Sequence, residues 1–70
     1  MNLYGYNITV GQLLANPQAR ALIDREFPGL LQNPMVRFAK RMSLRQVLQR
    51  ARGIVPQEKI DRVLQELEAL

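Results

Sequence analysis

Apolar residues along this chain recur mostly at helical spacing, and nearly every stripe follows a recognisable start signal. Val10, Leu13 and Leu14 fall at i, i+3 and i+4. Thr9 precedes them, with Gln12 three residues on. This is the capping-box spacing, in which each side chain bonds the other's backbone N–H. A helix near 10–15 follows. Asn16-Pro17 opens a second one: Asn is a strong N-cap, and proline suits the first helical position, where its missing N–H has no partner anyway. Ala19, Leu22, Ile23 and Phe27 then predict a helix near 17–27 with those side chains turned inward. Pro28-Gly29 breaks it, and Leu30-Leu31 reads as a short apolar turn.

Asn33-Pro34 repeats the cap-plus-proline device and opens a helix near 34–42. Met35, Phe38, Ala39 and Met42 lie at i, i+3, i+4 and i+7, so this stripe is predicted to be core. Ser43 with Gln46 forms a second capping box and starts a helix near 44–52, with Leu44, Val47, Leu48 and Ala51 on its apolar side. Gly53 is placed to end that helix in a left-handed conformation. Pro56 opens the last helix, near 56–69, where Ile60, Val63, Leu64 and Leu67 form the stripe. Glu58 and Arg62 on it have the i, i+4 spacing of a helical ion pair. Tyr4, Tyr6 and Ile8 alternate, which predicts a short extended arm over residues 1–8 packed on the helices. No other alternating run offers it a sheet partner. The fold class is therefore all-α: a single domain over residues 1–70, a compact bundle of four to five short helices with a short N-terminal arm. Leu30-Leu31 and the Tyr4/Tyr6 arm are the predicted partly exposed apolar patches.

The segment TVGQLL at residues 9–14 resembles SLRQVL at residues 43–48, and each is followed by a helix opening Pro-Gln, at Pro17-Gln18 and Pro56-Gln57. Two readings stand side by side. One is a pseudo-symmetric unit suited to dimerisation or two-sided binding; the other is capping grammar recurring because helices need it. ITVGQLL at residues 8–14 with Pro17 and Ala19, then SLRQVL at 43–48 with Gly53-Ile54, then IDRVLQEL at 60–67, resembles a family of small helical bacterial proteins of unknown function. Its members commonly carry a central Cys-x-x-Cys and occur alone or fused to larger proteins, including carbohydrate-active hydrolases. The resemblance implies a bundle of four or five short helices. It implies no redox or metal role here, because no position of this chain matches those cysteines.

Composition removes most chemistry. The 70 residues include no Cys and no His, which excludes disulfides, thiolate or imidazole metal sites and every His- or Cys-based triad. Thr9 and Ser43 are better explained as N-caps than as nucleophiles. The carboxylates (Asp24, Glu26, Glu58, Asp61, Glu66, Glu68) fall on polar helix sides beside basic neighbours, and the four glycines are isolated rather than gathered in a phosphate loop. The expectation is a protein that is not an enzyme and uses no cofactor or metal. No apolar run approaches the roughly 20 residues of a membrane span. Residues 1–8 lack the features of a signal peptide, and cysteine is absent, so a cytoplasmic location is expected.

Charge is the strongest asymmetry. The chain carries +4 overall. Between Phe27 and Gln57 there is no acid, yet there are six bases: Arg37, Lys40, Arg41, Arg45, Arg50 and Arg52. Arg37, Lys40 and Arg41 share one helical face opposite Met35, Phe38 and Met42, and Arg45 and Arg52 share a face of the next helix. Two adjacent helices are therefore predicted to present one basic surface, with the six bases as the candidate partner-binding residues. The leading expectation is a non-catalytic helical protein–protein interaction or accessory module. It would meet an acidic protein surface or a second copy of itself, and could be appended to a larger protein. The alternative is a nucleic-acid-binding domain using the basic face of residues 37–52, although that region has no Tyr or Trp for base stacking. A solvated basic face with no partner is the third reading, and contact with an anionic lipid surface the fourth, disfavoured because the apolar faces are needed for the core. Nothing indicates a small-molecule ligand.

Overall fold

Five helices form: α1 Val10–Ala15, α2 Pro17–Glu26, α3 Met35–Ala39, α4 Leu44–Ala51 and α5 Gln57–Glu68, with side-chain N-caps starting α1, α2 and α4 and a proline standing just before α3 and α5. The structure is a computed structural model and describes all 70 residues. A single turn of 3-10 helix covers Leu30–Gln32, a tight turn covers Tyr4–Tyr6, and no strand is present. No helix is long and apolar enough to cross a membrane.

Both capping boxes are complete. The Thr9 hydroxyl accepts the Gln12 amide at 3.1 Å while the Gln12 side chain accepts the Thr9 amide at 3.0 Å. Ser43 and Gln46 repeat this at 3.2 and 3.0 Å. Asn16 Oδ1 accepts the Gln18 and Ala19 amides, with Pro17 as the first residue of α2. Gly53 ends α4 with φ at 81°.

The two boxes also meet. Thr9 and Ser43 form an antiparallel bridge. The Val10 amide donates to the Met42 carbonyl at 2.9 Å, and the Leu44 amide donates to the Ile8 carbonyl at 2.8 Å. The bonds are reciprocal, so the repeated segments are related by a local two-fold at their N-termini. First-turn amides have no partner within their own helix, and here each helix start is completed by the chain leading into the other. Gly11 continues the pattern: its amide donates to the Lys40 carbonyl at 3.0 Å, and a Cβ there would sit 3.2 Å from that oxygen. The matching position on α4 is Arg45, whose guanidinium reaches the Gly5 carbonyl at 2.8 Å.

This junction corrects one boundary. The helix predicted over 34–42 stops at Ala39. The Lys40 and Met42 carbonyls turn to receive the Gly11 and Val10 amides, and so cannot continue a helical ladder.

The N-terminal arm is corrected as well. Residues 4–6 are not extended but form a left-handed turn, with φ of 53°, 63° and 72° at Tyr4, Gly5 and Tyr6. Left-handed backbone costs non-glycine residues roughly 1–2 kcal/mol each. Burial of Leu3 and Ile8 on either side offsets it, at about 1.5–3 kcal/mol per side chain. Tyr4 consequently points to solvent, whereas Tyr6 packs against the core. The Met1 ammonium donates to the Leu67 and Glu68 carbonyls at 3.1 and 3.0 Å, filling acceptors that the end of α5 leaves open.

The core joins the arm to α1, α2, α4 and α5, through Ile8, Leu13, Leu22, Leu44, Val63 and Leu67 among others. It takes nothing buried from α3. Met35 and Phe38, predicted as core, are in solvent. Across the α2–α5 seam, Arg62 bonds Glu26 at 2.9 Å rather than pairing with Glu58, and Arg25 bonds Glu66 at 2.8 Å. The Lys59 ammonium stands 4.7 Å from the centre of the Phe27 ring.

The Glu26 side chain is only 13% exposed. The hydrogen bond from Arg62, helped by the charges of Arg62 and Arg25, outweighs desolvation and holds its carboxyl below the ordinary value of 4.5. A carboxylate with a depressed folded-state value stabilises fully above its unfolded value, and that stabilisation fades as pH falls through the folded value. Stability is therefore expected to decline on acidification below about pH 4.5. Glu26→Gln should unfold at lower urea than the parent at pH 7 and show a shallower decline on acidification. Equal urea midpoints at pH 7 would show that the Arg62–Glu26 contact contributes nothing.

Candidate interaction site

A five-residue helix exposes much of its surface, and α3 is held mainly by its ends. Asn33 Oδ1 accepts the Met35 amide at 2.9 Å, and the 3-10 turn Leu30–Gln32 precedes it. Val36 and Ala39 are half-buried. That leaves the Met35 and Phe38 side chains outward, 67% and 74% exposed, with Leu30 partly exposed nearby in the chain. Exposed large apolar side chains grouped with charged neighbours mark contact surfaces more often than isolated ones do.

Arg37 lies on the same helix, and Lys40 and Arg41 follow in the next turn; all three are exposed. None has an acidic partner within the chain. The ion pairs all involve Arg25 or Arg62 with Glu26 or Glu66, so all six bases of residues 37–52 lack a carboxylate within 4.0 Å. Residues 35–41 therefore expose two large apolar side chains and three bases without an acid partner.

The α4 bases divide differently. Arg45 and Arg52 line a groove between α4 and α5, about 390 Å³ in volume, over Leu48, Ile60 and Leu64, with Tyr6 also against it. Arg45 is anchored by the Gly5 carbonyl. Asp61 lines the same groove from α5 and accepts from the Gln57 side chain at 2.9 Å. Arg50 lies in the last turn of α4, exposed and outside the groove lining. The structure thus leaves Arg37, Lys40 and Arg41 exposed on α3 and the turn after it, and brings Arg45 with Arg52 into the groove.

Sequence reasoning named the bases but assigned Met35 and Phe38 to the core. A usable signal was length. The stretch between the Asn33-Pro34 start and the Ser43 cap must also turn the chain into α4, which leaves α3 too short to bury a two-turn stripe.

The Thr9 and Ser43 hydroxyl oxygens are taken up by their cap bonds. No three acidic, His or Cys side chains come together as a metal-holding group. No family model, curated protein or solved structure matches the chain.

Proposed function

We propose that the protein is a non-catalytic helical interaction module that docks an acidic, partly apolar protein surface through α3 and the turn after it. One observation carries the reading: Phe38 and Met35 stand in solvent on the same short stretch of chain as three exposed bases that have no acid of their own. An exposed aromatic at the centre of a patch supplies affinity when desolvated, and a charged border supplies orientation and encounter rate. A second reading, nucleic-acid binding through residues 37–52, draws on the same ring, because an aromatic beside cations can stack on a base.

The test is an amide-resolved NMR titration with two probes. One is an amphipathic helical peptide with Leu at i, i+3 and i+4 and Glu elsewhere; the other is mixed-sequence single-stranded DNA. Each is run at about 50 and 200 mM salt, a range over which phosphate-dominated binding falls steeply. The peptide is expected to give saturable shifts centred on residues 35–41. Arg37→Glu with Arg41→Glu should abolish them and leave the helical CD spectrum unchanged. Peptide affinity unchanged by the double reversal would sink the proposal. Saturable shifts with DNA alone would establish the second reading in its place.

A further inference from the structure

The basic surface around α3 cannot pair with itself, because two copies would bring cations together. The α4–α5 face differs. Arg45 is tied to the Gly5 carbonyl, a neutral acceptor that leaves its charge in place, so the groove carries two bases, Arg45 and Arg52, on the α4 wall and one acid, Asp61, on the α5 wall. Of the two bases only Arg52 makes no side-chain bond within the chain and is free to reach a partner. Between them lies an apolar floor. Leu48 and Leu64 pack on the core yet remain partly open to solvent, and no side chain of this chain fills the groove above them.

A surface with opposite charges on facing walls and an apolar seam between them is complementary to its own two-fold copy. In such an isologous interface each contact occurs twice, residue i with j and j with i. We infer that the α4–α5 face is a homodimer interface, in which Arg52 of each copy meets Asp61 of the other and the Leu48/Leu64 seams close against one another. The inference is separate from the α3 proposal: it uses a different face and none of the α3 bases.

The charge pattern supplies its own test, by sedimentation equilibrium at low salt over micromolar to millimolar concentrations. The 8.1 kDa chain is expected to approach twice that mass as concentration rises. Arg52→Glu and Asp61→Arg each place like charges across both contacts, and each should weaken dimerisation by about tenfold or more. Both positions are exposed, so both variants should keep the parent's helical CD spectrum. Mixing the two restores opposite signs at both contacts, so a heterodimer should form at close to the parent's affinity. Arg37→Glu with Arg41→Glu should leave the parent dimer unchanged. A chain that stays monomeric up to about millimolar concentration overturns the inference. Single variants that dimerise like the parent, or a mixture that forms no heterodimer, would also overturn it.

Discussion

Leu67→Ala is expected to lower stability by about 2–5 kcal/mol, the range for truncating a buried leucine in a core that relaxes only partly. Leu67 is 1% exposed and is the largest fully buried side chain of the molecule. It sits on the inner stripe of α5, where the arm, α1, α2 and α4 all contribute to one cluster. Its carbonyl accepts from the Met1 ammonium, so loosening this turn of α5 also loosens the chain's first residue. A domain of this length buries only about 60% of the surface its unfolded chain exposes. Small domains of this kind draw a few kcal/mol of net stability from a single core. With that margin, the variant should be substantially unfolded at 37 °C. Urea denaturation followed by CD at 222 nm would read the loss directly. A loss under about 1 kcal/mol would mean that the cluster's centre lies elsewhere.

Phe38→Ala is expected to do the opposite: leave stability within about 0.5 kcal/mol of the parent and cost the α3 surface most of its partner affinity. Truncating a central aromatic anchor removes about 2 kcal/mol or more, roughly 30-fold in Kd. The variant separates two accounts of one residue. As a core side chain, the place its i, i+3, i+7 spacing suggests, Phe38 would cost about 3–5 kcal/mol of stability on truncation. As the exposed ring the structure shows, it should cost almost none. Paired urea melts and peptide titrations decide the matter. Unchanged affinity would remove Phe38 from the site, and a large drop in urea midpoint would return it to the core.

Local grammar was the legible part of this fold. Thr9/Gln12, Asn16-Pro17 and Ser43/Gln46 each mark a helix start because cap chemistry acts over three or four residues, and the side chain that performs it is named in the sequence. What local grammar does not carry is which stripes find a partner. Met35/Phe38 and Leu44/Leu48 have similar spacing, yet one stripe faces solvent and the other packs inward, because α3 is cut short to supply carbonyls to α1. The Glu58–Arg62 spacing likewise allows a pair that the structure replaces with a bond across the α2–α5 seam. Arg62 there finds the less exposed carboxylate of Glu26. The candidate site was half legible. Its bases are visible as a run without acids, whereas the apolar anchor among them depends on long-range packing.

The head-to-head meeting of the two cap residues has a dynamic consequence. Thr9 and Ser43 are far apart in the chain, yet the amides of Val10 and Leu44 are held by one reciprocal pair of bonds. Neither can open to solvent unless the two helix starts separate, so fraying of a single helix end does not expose them. Their deuterium exchange should therefore run at closely matched rates, set by one shared opening that links the two halves of the bundle into a single cooperative unit.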